Sequence, residues 1–167
     1  EELSRMMVGR DVDFAVEKKL CEPGEVVLDV KGLVVPSKAH KNNAVKGVDF
    51  QVRAGEIVCV AGIEGNGQTE LVYGLSGLEK PSAGTITLKG HDITGAAIRE
   101  RSKLGMSHIP EDRHKHGLVL DFTLADNLVL QRYWQPQFQS HGFIKAAAVQ
   151  EYATRLIAQY DVRSGQG

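Results

Sequence analysis

Short apolar runs divided by glycine-rich or polar breaks fill the first two thirds of the chain, a pattern that predicts strands and turns with few long helices. Val26 to Val30 is the first strand candidate, followed by a polar turn at Lys38 to Asn43. From Ala44 to Val52, Val45, Val48, Phe50 and Val52 stand between polar neighbours, as on a half-buried strand. Ala54-Gly55 reads as a turn. Glu56 to Ala61 is a short, largely apolar run and predicts a strand buried on both faces. Gly62 to Gly67 is a glycine-rich loop, and Thr69 to Leu75 reads as a helix with Leu71, Val72 and Leu75 on one face. Thr85 to Leu88 and Met106 to Ile109 are further strand candidates, and Ala96 to Lys103 is a helix that stops at Gly105.

The last third changes character. Thr123-Leu-Ala-Asp126 resembles a capping box and opens a helix to about Gln131. Gln135 to Gly142 is a polar loop. Ile144 to Tyr160 carries apolar residues at 149, 152, 153, 156, 157 and 160, a helical stripe that reads as a packing face, the alternative being a surface for a membrane partner. Residues 1–20 form a charged, weakly helical lead, with Leu3, Met6 and Met7 on one face, and read as a linker from something upstream.

Composition narrows the classes. Of 167 residues, 42% are hydrophobic and 25% charged, which is ordinary for a globular domain and excludes disorder, collagen and coiled coil as the main architecture. The formal charge of -1, from 20 Lys+Arg against 21 Asp+Glu, leaves no basic surplus for nucleic acid. Cys21 and Cys59 build neither a disulfide framework nor a zinc site, and Cys59 is expected as a buried thiol. The longest apolar run, Ile57 to Ala61, falls far short of the ~20 residues of a membrane-spanning helix. The expected setting is reduced and cytoplasmic.

The strongest chemical signal is Gly62-Ile-Glu-Gly-Asn-Gly-Gln-Thr69, between a strand candidate and a helix. Glycines let successive backbone N–H groups converge on phosphate oxygens, and the helix start adds partial positive charge. Thr69 stands where a hydroxyl meets Mg²⁺ in a phosphate loop, and Gln68 stands where that motif has its lysine. The other reading is a strand-to-helix turn without a ligand. A charge-assisted hydrogen bond contributes about 1.5–3 kcal/mol, so losing the lysine costs about ten- to a hundredfold in affinity. Glu64 adds like-charge repulsion toward phosphate. Weak nucleotide binding is the expectation.

The segments GEIVCVAGIEGNGQTELVYGLSGLEKPSAGTITLKG and MSHIPEDRHKHGLVLDFTLADNLVL resemble the ATP-binding subunit of an ABC importer, and more narrowly the second of two tandem nucleotide-binding domains in simple-sugar and nucleoside importers. The resemblance spans nearly the whole chain; ELSRMMVGRDV is similar to the inter-domain linker. It implies an α/β fold with a phosphate-loop ATPase core, an antiparallel β portion and the start of a helical subdomain, cut short at the C-terminus. The implied boundaries are a linker at 1–20, the core at 21–117 and the helical part at 118–167. Implied nucleotide contacts are Gly62, Glu64, Gly65, Asn66, Gly67, Gln68, Thr69, Glu70 and Glu111, with Thr69 on Mg²⁺. Glu111 falls where the family has a switch-loop glutamine; the bland alternative is that Glu111-Asp112-Arg113 is a solvated, ion-paired turn. Implied partners are permease subunits and a second nucleotide-binding domain, at the cytoplasmic face of the membrane.

Departures from the family pattern are as informative. No LSGG signature, catalytic Glu after an acidic strand end or switch histidine is present, so no residue is assigned a catalytic role. Gly74-Leu-Ser-Gly77 reads as a helix end, Leu118-Val-Leu-Asp121 as no Mg²⁺-bearing strand, and Ser164-Gly-Gln-Gly167 as no signature. No aromatic lies at 34–43 to stack on adenine, leaving His40 as a substitute. Arg113, His114, Lys115 and His116 form a basic cluster that is either a solvated loop or a contact for phosphate or a partner. His91, His108 and His141 show no metal spacing, and Tyr133-Trp134 reads as a packed loop anchor. Three functions compete: the importer's ATPase engine with a degenerate site, a non-catalytic nucleotide-sensing or scaffolding half, and a small kinase, which the missing lysine disfavours.

Overall fold

The alternating residues do become a hairpin. In the computed structural model, which describes residues 21–37 and 42–162 together with Met6, Met7 and Gly9, β1 (Val26–Pro36) pairs antiparallel with β2 (Asn43–Arg53). β1 runs past the expected end at Val30. A register shift between Val30 and Leu33 changes the parity, so Leu33 and Val35 continue the buried face that Val30 begins. The bulge is held by the Gly32 amide, which donates to Asp49 Oδ1 at 2.6 Å. A strict period of two therefore loses the strand halfway along.

β3 (Ala83–Leu88) pairs antiparallel with the other edge of β1, and β4 (His91–Asp92) with β3, giving the order β2-β1-β3-β4. Helix α1 (Gln68–Ser76) turns Leu71 and Leu75 into the core of Val30, Leu33, Val35, Val45, Ile86, Leu88 and Ile93. It ends at Gly77, whose amide donates to Tyr73 O at 3.0 Å, so Gly74 to Gly77 is a helix end as expected. Val72, assigned to the inner face, is instead exposed. Helix α2 (Ile98–Lys103) stops before Gly105.

The chain divides into two compact units, Glu1–Ser107 and His108–Gly167. In the second, Arg113–Gly117 makes one π-type turn, capped by Asp112. Helix α3 (Leu124–Val129) starts at Thr123, whose Oγ1 accepts from the Asp126 amide at 3.1 Å. The polar loop at 135–142 contains half of a small hairpin, β5 (Gln139–Ser140) with β6 (Phe143–Ile144). Helix α4 (Ala146–Gln159) buries Val149 and Ala153. Val149 packs with Val129 and Phe138, and Phe138 meets Tyr152 edge-on at 5.0 Å. The inner part of the predicted stripe is thus a packing face, while Tyr160 lies exposed.

Three expectations are corrected. Glu56 to Ala61 and Met106 to Ile109 are not strands; Ile57 is 94% and Ile109 92% exposed. Apolar composition makes a segment suited to a sheet, but a strand forms only when a neighbour supplies hydrogen-bond partners, and neither run pairs with a strand among the described residues. Cys59 consequently is exposed rather than buried. The linker apart from Met6, Met7 and Gly9, most of the Lys38–Asn43 turn with His40, and Ser164–Gly167 lie outside the described residues. No described helix is long and apolar enough to cross a membrane.

Candidate functional site

β2 delivers the chain to the site through the turn at Ala54–Gly55, braced by the Arg53 amide donating to Glu56 Oε2 at 2.7 Å. After the irregular run 56–61 the chain coils through Gly62–Gly67 and enters α1. Gly65 and Gly67 have φ of 86° and 95°, in the left-handed region where side chains are strained. Gly67 is also a contact point: a Cβ there would lie 2.8 Å from the Ala44 carbonyl oxygen of β2. Seven residues on, a Cβ at Gly74 would lie 2.7 Å from Val35 Cγ2 of β1. Two glycines thus let α1 lie close against the hairpin, which fixes the helix start and the loop before it.

Gly67 at the N-cap is buried and brings no side-chain cap, so the N–H groups of the first turn of α1 have no side-chain acceptor and the positive helix end is uncompensated there. Thr69 is exposed in this turn, as are Glu64 and Asn66 in the loop, while Glu70 adds a carboxylate to the helix start. A Cβ at Gly65 would meet nothing within 4 Å, leaving that side of the loop unobstructed. Inside the loop the Asn66 amide donates to Ile63 O at 3.3 Å. Gln68 Nε2 donates to the same oxygen at 3.2 Å. The Gln68 side chain is thus folded back across its own loop.

The run Gly62 to Glu70 is brought together on one loop and helix start, whereas Glu111 belongs to the second unit. Glu111 is exposed just before Asp112, whose Oδ1 accepts from the His114 and Lys115 amides, both at 3.0 Å. Those bonds hold the Asp112 carboxyl below its ordinary value, the Lys115 bond most, with His116 and His114 adding attraction. The basic residues of this turn are exposed. Trp134 is half-buried and its Nε1 donates to Gln131 O at 3.1 Å, whereas Tyr133, expected to pack beside it, is exposed. Among the described residues no group of His, Cys, Asp and Glu could hold a metal ion.

Two organising residues escape sequence reasoning. Arg101, 2% exposed, donates to Leu75 O at 2.9 Å, Ala96 O at 3.0 Å and Thr94 O at 3.1 Å, tying the end of α1 to the turn after β4. Burial lowers its pKa from the usual value. An IRERSK segment gives no signal that its second arginine faces inward. Asn127 accepts from the Val119 amide at 2.8 Å and donates to the carbonyls of Val119, Phe122 and Thr123, fastening the segment before α3.

A mixed α/β arrangement with a glycine-rich loop running into an open helix start defines the phosphate-loop class of protein. Within that class, the chain belongs to the ABC transporter family, which it matches over residues 45–164. It is 44% identical over 163 residues to the nucleoside import ATP-binding protein NupA of Lactococcus lactis, covering 98% of this chain and 32% of that protein. To the guanosine import ATP-binding protein NupO of Bacillus subtilis it is 42% identical over 164 residues, covering 98% and 32%. To the ribose import ATP-binding protein RbsA of Chromobacterium violaceum it is 34% identical over 164 residues, covering 98% and 31%. The chain spans about a third of the length of these curated relatives.

Proposed function

We propose that the loop Gly62–Gly67 with Gln68, Thr69 and Glu70 binds the phosphates of ATP with Mg²⁺, and that the chain is part of the ATP-binding component of a nucleoside or simple-sugar importer. The observation that carries this reading is the uncapped start of α1 behind two left-handed glycines, with the open side of the loop at Gly65. The residues suit the ligand: backbone N–H groups of the loop would hold phosphate oxygens, and the exposed Thr69 hydroxyl would reach Mg²⁺. Glu111 is the further candidate for the metal or its water. Bound ATP would supply the free energy for two nucleotide-binding domains to close and drive a permease at the cytoplasmic face of the membrane. The names of the relatives support a nucleoside or sugar as cargo.

Binding is expected to be weak, because Gln68 brings no positive charge and Glu64 repels phosphate. A second reading, a non-catalytic nucleotide-sensing or scaffolding half that pairs with an active domain and the permease, draws support from the engagement of Gln68 with Ile63 O. Calorimetric titration of Mg-ATP into the wild type, Gln68→Lys, Gln68→Glu and the double variant Glu64→Ala with Gln68→Lys separates the two. The first reading expects Gln68→Glu weakest, Gln68→Lys about ten- to a hundredfold tighter than wild type, and the double variant tightest. The differences should shrink as salt rises. Folded variants that all bind alike, or none that binds, would leave the scaffolding reading in place.

A further inference from the structure

We infer that Gln68 is a positioning residue: its neutral amide closes the phosphate loop onto Ile63 O and holds the backbone in its ligand-ready shape. The inference rests on the nucleotide reading of this loop and assigns Gln68 a task within it. Three observations carry it. Gln68 Nε2 and the Asn66 amide both donate to Ile63 O, at 3.2 and 3.3 Å, so one carbonyl gathers both ends of the turn. A Cβ built on Gly62 would overlap Gln68 Nε2 and stand 3.0 Å from its Cδ, so the side chain occupies the space over Gly62. Gly62 lies outside the left-handed region, so an alanine there would meet this contact without added backbone strain.

The physical consequence concerns order. Gly65 and Gly67 bring conformational freedom to the loop, and a ligand gripped by backbone N–H groups binds in proportion to how often those groups already converge. Donation from residue 68 to residue 63 closes a ring around the turn and removes part of that freedom before the ligand arrives. The amide does this without charge, so the loop is shaped for phosphate while its attraction is left to backbone and helix dipole. On this account the departure from lysine costs attraction but keeps the loop's geometry.

The test uses Gln68→Met, which keeps the length but cannot donate, and Gly62→Ala, which puts a methyl where the amide lies. Each is made alone and together in the full 167-residue chain. Mg-ATP affinity is measured by calorimetry and loop order by hydrogen exchange at the amides of residues 64–68, with circular dichroism as the folding control. Each single variant should weaken binding about two- to tenfold and speed exchange at Asn66, with the melting temperature unchanged. The double variant should be no worse than either single one, because both remove the same contact. Gln68→Lys, which regains a donor, should restore slow exchange. Binding as tight as or tighter than wild type in Gln68→Met overturns the inference, as does additivity of the two substitutions. A wild-type chain that binds no Mg-ATP defeats the nucleotide reading instead, and exchange at Asn66 then reports on the closure alone; unaltered exchange in both variants would overturn that as well.

Discussion

Three aspartates accept hydrogen bonds that favour their ionised form. Asp29 accepts from Gln51 Nε2 at 3.0 Å and pairs with Lys31 Nζ at 3.0 Å. Asp92 accepts from the Thr94 hydroxyl at 2.6 Å and the Thr94 amide at 2.8 Å. Asp112 caps the π-type turn. Each carboxyl is held below the ordinary value of 3.8, by Gln51 first, by the Thr94 hydroxyl first and by the Lys115 amide first, respectively. A carboxyl whose pKa is lower in the folded chain contributes stability that is present above 3.8 and lost as pH falls through the folded values. Thermal melts should therefore weaken as pH drops below the ordinary carboxylate range. Asp112→Asn, which keeps a capping oxygen but cannot titrate, should show a shallower acid limb. An acid limb identical to wild type would remove Asp112 from the account.

Among the elements, α1 matters most, because its seating decides where the loop sits. Leu71 and Leu75 turn it toward the sheet, but the closeness of approach is set by Gly67 and Gly74. Alanine is the better helix former by about 1 kcal/mol over glycine, so an isolated helix would gain from Gly74→Ala. Here the added methyl would press on Val35 Cγ2 at 2.7 Å, and Val35 is wholly buried. Overpacking of this kind costs about 1–3 kcal/mol. The expected net result is a loss of about 1 kcal/mol in denaturant unfolding, with weaker Mg-ATP binding as α1 is pushed off the hairpin. A stabilised variant would show that the sheet yields and that the close approach does not set the loop's position.

For the molecule as a whole, the apolar residues outside the two cores are the main liability. The run Glu56–Ala61 leaves Ile57 and Val60 exposed, followed by Ile63, and the second unit exposes Ile109, Leu120 and Phe143. Exposed apolar segments of this kind favour association with another chain. The protein is therefore expected to self-associate in a concentration-dependent way. Light scattering should show species larger than a monomer, and Ile57→Lys with Val60→Lys should reduce them. A monodisperse wild-type monomer with a sharp cooperative melt would mean that these residues are covered.

Local pattern was enough to read the elements whose periodicity and partners both lie within a short stretch: the β2 alternation at Val45 to Val52, the Thr123 cap with its helix, the inner stripe of α4, and the glycine loop entering α1. The loop's position ahead of the helix was equally legible, because Gly62 to Thr69 is contiguous. Other features depend on which residues meet across the chain, and composition does not encode that. Glu56 to Ala61 has strand composition, yet strand pairing is a property of two segments, and no described neighbour supplies it. Leu33 and Val35 extend β1 only because a bulge resets their parity. Arg101 is buried where the carbonyl of Leu75 in α1 and those of Thr94 and Ala96 after β4 converge on it, and Gln68 donates to Ile63 O across Gly62. In each case the free energy lies in a contact between residues that neither run announces, so it emerges only once the chain is folded.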